Sequence, residues 1–287
     1  MPHLRTHTTP ILLLAACAAL APVAAHAADG TFDKTLHVGG QVMLNVNTGS
    51  GYIHVSPGAG NEVHIVGHVH ASSWAFGGSP EERVREVVSN PPIEQSGNVI
   101  TVGKHGSALH NVSIDYDITT PRGTDLQANS GSGDLRIANT GGPLKAGTGS
   151  GSIQAGGVTG RVTLETGSGD IQADLNSASD VKADTGSGSI RLRGVAGGLF
   201  AETGSGDIEV GGQPSSGWKL ETGSGSVTLN TGGAHFTLDA STGSGTVHSD
   251  PPLTTHGSLE RHHVTGEING GGPVVRVETG SGDIRIH

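Results

Sequence analysis

Four acidic residues occupy one position of a recurring pattern. Glu165, Asp184, Glu202 and Glu221 each lie two residues before the first glycine of a Thr-Gly-Ser-Gly tetrapeptide. On stacked copies they would form a like-charge ladder, which serves either as a solvated face or as a weak site for a hard divalent cation such as Ca²⁺. A second column follows the last glycine of the tetrapeptide and reads Asp134, Ser152, Asp170, Ser189, Asp207, Ser226, Thr246 and Asp283. Neighbouring carboxylates at strand spacing repel, so alternation with serine relieves the charge while each side chain caps a turn amide. A third set, Glu62, His64, His68 and His70, falls on one face of a strand at period two. His-x-His on a strand can bind Zn²⁺, and it also makes an ordinary polar outer face. His262 and His263 would point to opposite faces of an extended segment. Gly49-Ser50-Gly51 and its copies lack the strand-to-helix setting of a nucleophile elbow. No residue is assigned a catalytic, cofactor-binding or metal-binding role.

These columns exist because the chain repeats. Thr/Ser-Gly-Ser-Gly recurs with first glycines Gly49, Gly131, Gly149, Gly167, Gly186, Gly204, Gly223, Gly243 and Gly280. From Gly131 the steps are 18, 18, 19, 18, 19, 20 and 37, the last holding a degenerate copy at Thr265-Gly266-Glu267-Ile268. Apolar residues stand five and three positions before each first glycine, as in Val162 and Leu164, and four and six after it, as in Ile171 and Ala173, with Ser249 the one polar member. Spacing of two on both sides predicts strand, glycine corner, strand. Such a unit cannot bury its apolar face alone, whereas stacked units share a narrow core. The expected fold is all-β, a single-chain β-solenoid of 18–20-residue coils, with room for nine coils after residue 120. A sandwich of hairpins would use the same alternation. Glycine suits the corners through positive φ and through close approach of neighbouring coils.

Residues 28–120 read differently, as a β head that caps the solenoid of residues 121–287. Within it Ser79-Pro80-Glu81-Glu82 is a capping box with proline at the first helical position, opening a short helix over 80–89. Asn90-Pro91-Pro92 ends that helix, and strands are expected at Val99–Val102 and Val112–Thr119. No matching C-terminal cap is visible, so the last coil is expected to be an open edge able to pair with a second copy.

The chain has 287 residues, among them 49 glycines, four Phe, two Trp, two Tyr and one Cys. Apolar residues other than glycine make up 33% of the chain, and only with its 49 glycines does the share reach the roughly 45–50% of ordinary domains, which fits a thin stacked core. The formal charge of −10 argues against nucleic acid and anionic lipid as partners. Residues 1–27 read as an export leader: Arg5, an apolar run from Ile11 to Ala25, then Ala25-His26-Ala27 before the cut. That run is short for a membrane span of about 20 residues. Leu14-Ala15-Ala16-Cys17 also resembles a lipobox, which would place a lipid on Cys17. With ordinary cleavage the exported chain carries no cysteine, and therefore no disulfide and no thiol nucleophile.

The head ending in Thr120-Pro121, followed by Gly-Ser-Gly-Asp copies such as Ser130–Leu135 and Thr166–Ile171, resembles the bacterial adhesin-like β-strand-repeat family, the toast-rack domains of unknown function. The resemblance spans nearly the whole exported chain. It implies a solenoid-like cell-envelope protein of the periplasm or cell surface, without established catalytic chemistry and with an unknown envelope partner. A second resemblance is to the calcium-binding β-roll of repeats-in-toxin proteins. There the glycine–aspartate unit occurs twice per coil; here it occurs once, as in Gly169-Asp170. The reading is thus a non-enzymatic interaction scaffold, with a calcium module as the alternative and a glycan-active enzyme as the third.

Overall fold

The computed structural model describes residues 27–72, 79–103, 111–138, 140–255 and 262–287; the leader up to His26 and Cys17 lie outside the described residues. Period-two alternation turns one set of side chains inward on every strand. The inward columns are the core: Leu44, Leu126, Val162 and Trp218 in one, Ile53, Leu135, Ile171 and Ile208 in another, all buried. Trp218 takes a place held elsewhere by Leu, Val or Ile, and its indole N–H donates to Gly197 O at 2.8 Å.

Successive copies pair in parallel and in register, Leu126 with Leu144, Leu144 with Val162, and Val162 with Val181. Hairpins of a sandwich would pair antiparallel, so the fold is the solenoid. Each coil carries a strand, the Gly-Ser-Gly corner and a second strand, which stack into two parallel ladders, the first and second sheets, joined into one continuous sheet by the long strands Ile153–Ser168, Ile171–Ser187 and Ile190–Ser205.

The corner sets the distance between coils. A Cβ at Gly149 would lie 2.4 Å from Gly131 O, and one at Gly151 would lie 2.1 Å from Gly133 O. The same collision recurs at the other copies, so close backbone approach excludes a side chain from both columns; Gly49, with nothing within 4 Å, is the exception. Positive φ is secondary, being absent from the first-glycine column. The residue before that glycine supplies the bond across the gap. Thr148, Thr166, Thr185, Thr203 and Thr222 are buried, and each hydroxyl donates to the second-glycine carbonyl of the coil beneath at 2.8–2.9 Å.

Order along the stack differs from order along the chain at both ends. Strand Met43–Thr48 pairs with Val99–Val102 on one side and Asp125–Ser130 on the other. The coil of residues 43–57 is therefore second, between 99–120 and 125–138. At the far end strand Val274–Ser281 lies between Trp218–Ser224 and Phe236–Ser244, and Ile284–Ile286 lies between Val227–Asn230 and Val247–Ser249. The C-terminal coil is thus interior. The expected open C-terminal edge is corrected: parallel partners occupy both of its sides.

The two end coils carry antiparallel covers. Glu62–Ser72 pairs with Val112–Thr120 and then with Ala27–His37, and helix Pro80–Ser89 packs on those two outer strands through Val84 and Val87. Ser79 and Glu82 form the capping box, each side chain accepting the other's backbone N–H. At the other end His263–Ile268 runs antiparallel to Phe236–Ser244 and is flanked by Leu253–Thr254. The degenerate copy at residues 265–268 is therefore part of a cap and not a coil. A cap that the sequence did not reveal stands where none was expected. It covers only one of the two sheets, and Val247 and Ser249 of the other are half-buried.

Gly204→Ala is expected to destabilise the fold strongly, by about 3 kcal/mol or more, because its Cβ would stand 2.6 Å from Gly186 O. Thr203→Val should cost about 1–2 kcal/mol through the lost bond to Gly188 O. Gly232→Asn, at φ +55° with open space around the Cβ, should change little. Urea unfolding followed by tryptophan fluorescence reads all three.

Candidate functional site

Outward-facing columns carry the chemistry. The acidic ladder runs unbroken through Glu165, Asp184, Glu202 and Glu221, and the interior C-terminal coil extends it to Glu278. Glu278 stands at the same position of its repeat, yet the 37-residue step hid its neighbourhood. The column two residues earlier on the same face reads Thr163, Lys182, Phe200, Lys219 and Arg276, so three of its five members are cations. Lys182 Nζ is 2.5 Å from Glu165 Oε1 and 3.8 Å from Asp184 Oδ2, and the bond to Glu165 holds its ammonium above the usual lysine range. Lys219 Nζ lies 2.7 Å from Glu221 and 5.5 Å over the Phe200 ring. The face is banded, acid beside base. Among the described residues, no group of three or more His, Cys, Asp and Glu side chains converges to hold a metal ion.

The aspartates after the second glycine cap amides of the next coil. Asp134, Asp170 and Asp207 accept from the N–H groups of Ser152, Ser189 and Ser226 at 2.8–2.9 Å. Asp283 accepts from both the N–H and the hydroxyl of Thr246 at 3.0 Å, and the N–H bond holds its carboxyl below the usual range. Asp115 does the same for Tyr52 N–H at 2.9 Å. Acceptor and partner alternate coil by coil through the whole stack. This chemistry is structural.

The His-x-His strand faces outward with its rings turned to carboxylates. His64 Nε2 is 2.7 Å from Asp33, His70 Nδ1 is 2.8 Å from Asp29, and His68 Nε2 is 3.3 Å from Asp117. His37 lies 3.2 Å from Glu62. These contacts knit the outer strand Ala27–His37 to Glu62–Ser72 and that strand to Val112–Thr120. At the opposite end His263 Nε2 is 2.9 Å from Asp239, and Asp250 meets His287 at 2.7 Å and His248 at 3.0 Å. His262 is exposed at the turn before its strand.

The second sheet has a middle outward column of Asp117, His54, Arg136, Gln154 and Gln172 on consecutive coils. Two adjoining depressions of about 320 and 300 Å³ lie along it and share His54 and Arg136. Asp117 orients one end, accepting the Tyr52 hydroxyl at 3.0 Å and lying 3.2 Å from His54 Nδ1. Partial burial, with the Asp117 hydrogen bond and charge, pushes the Tyr52 phenol up to about 12. This column was missed in the sequence. Its signal is the period-two position between the Ile and Val/Ala columns.

A family model described as Toastrack DUF4097 matches residues 44–287. No curated protein matches the chain. Among solved structures, a "putative adhesin" of Bacteroides fragilis is similar at 12% identity and TM-score 0.46, covering 90% of this chain and 97% of that one. A "putative cell adhesion protein" of Clostridium sporogenes has 16% identity and TM-score 0.26, with 90% and 99% covered. A "putative adhesin" of Parabacteroides distasonis has 11% identity and TM-score 0.43, with 90% and 97% covered.

Asp239 links the final coil, the interior C-terminal coil and the cap. The His263 bond, with the Arg276 guanidinium 3.0 Å away, holds its carboxyl below the usual range, against the opposing effect of burial. The stability this confers is fully present above the ordinary carboxylate pKa of ~4 and is lost as pH falls through the depressed value. Asp239→Asn should therefore lower stability at neutral pH by about 1 kcal/mol, and the gap to the unmodified protein should close in acid. Melting curves across that pH range check both.

Proposed function

This chain belongs to the Toastrack DUF4097 family, and on that premise we propose that it is a non-enzymatic, exported cell-envelope protein whose coil stack is an interaction scaffold. The observation that carries the reading is the fixed geometry of its outer faces. Neighbouring coils hold like positions at about 4.8 Å along the axis, so charged and polar side chains form bands of constant pitch. A surface of this kind suits an extended or repetitive partner contacted at many points, where weak contacts add up.

The banded face favours solvated ion pairs over a cation site, since Lys182 stands between Glu165 and Asp184. Calcium is therefore the weaker occupant. The corner serines occupy backbone-packed turns and have no strand-to-helix setting, which speaks against a hydrolase. The leader reading also fits the fold: a cut after Ala27 removes only the first residue of the outer strand Ala27–His37.

Fractionation of the producing cell tests the proposal. The protein is expected in the periplasmic or surface fraction, with an N-terminus beginning at Ala28. Retention in the cytoplasm with an intact leader would overturn it.

A further inference from the structure

The middle column of the second sheet contains hydrogen-bonding groups that the protein itself leaves unused. Arg136, Gln154 and Gln172 are exposed, lie on three consecutive coils, and form no hydrogen bond or ion pair among the described residues. The column is otherwise tied up. Below them His54 is held by Asp117, and above them Arg191 Nε donates to Glu209 at 2.8 Å. The free groups lie in the two joined depressions, where Ala138 and Gly156 leave room beside them. Tyr52 stands at one end with its ring held by bonds at both hydroxyl and backbone N–H.

We propose that this groove binds a neutral oligosaccharide laid along the stack axis. The charge pattern selects the ligand class. Asp117, Asp134 and Asp174 rim the groove and would repel an anionic chain. Arg136 at its centre would repel a cation, and an apolar ligand would leave the guanidinium and two amides desolvated and unpaired. A polyhydroxylated chain meets each need: hydroxyls donate to the rim carboxylates and amide oxygens, and accept from Arg136 and the amide N–H groups. The Tyr52 ring offers an apolar face to a sugar ring, held in place before binding. Rung spacing of about 4.8 Å repeats these groups along the axis, which favours a chain over a single sugar. This inference deepens the scaffold reading and rests on it, by naming what one face contacts.

The test is an array of neutral and acidic oligosaccharides, followed by calorimetric titration of the best neutral binder with the exported chain. At least one neutral oligosaccharide is expected to bind. Arg136→Ala and the double variant Gln154→Ala/Gln172→Ala should each weaken it about tenfold or more. Lys145→Ala, an exposed change on the other sheet, should leave affinity unchanged. All these positions are solvent-facing, and unaltered melting temperatures verify the fold. Binding of acidic oligosaccharides alone, no neutral binder on the array, or neutral binding indifferent to Arg136→Ala would each overturn the groove assignment. The fractionation result stands independently, so a failed array with an envelope-located protein removes the glycan and keeps the scaffold.

Discussion

Everything in this fold depends on how closely one corner can sit on the next. The buried threonine hydroxyl reaches the second-glycine carbonyl of the coil beneath only because both glycine columns lack a Cβ. That single contact satisfies a buried hydroxyl, fixes the register and brings the inward columns together. Each bond is worth only about 1 kcal/mol, but the stack repeats it at nearly every coil. The low apolar content follows from this. A core two side chains wide needs Ala beside Leu, not large residues throughout, and Ala128, Ala146, Ala183 and Ala201 fill that role.

Strand positions, core columns and the helix were legible in the sequence because each rests on a local rule: period two, a corner motif, a capping box. Val162, Leu164, Ile171 and Ala173 needed only counting. The spatial order of the end coils was not legible by spacing, because a repeat specifies what a coil looks like and not which coil it sits on. A signal was nonetheless present. In chain order the column reads Ser226, Thr246, Asp283, which breaks the alternation of acceptor and partner; in stack order it reads Ser226, Asp283, Thr246, and the alternation is whole. The same rule places Tyr52 between Asp115 and Asp134.

Outer-face chemistry was legible in part. The acidic column and the His-x-His strand were visible as patterns, but their partners came from strands far away in sequence, such as Asp33 for His64 and Asp117 for both His54 and His68. Spacing alone cannot tell a ligand set from a series of separate pairs. The groove over Arg136 and Gln154 depended on what the neighbours lack, the small side chains of Ala138 and Gly156, and absence of bulk carries no motif.

The threading of the chain at its ends bears on how the molecule responds to force. A terminal coil that merely sat on the end of the stack would peel away one hydrogen bond at a time under tension. The C-terminal strands 274–286 are instead clasped between two parallel neighbours in both sheets. A pull on that terminus along the strand direction must shear the ladders on both sides together. Resistance of this kind is governed by the rate of unfolding under load and not by equilibrium stability. The threading also confines growth: coils can be added or lost in the middle of the stack, whereas the strands that end it are tied into antiparallel covers, at the far end on one sheet.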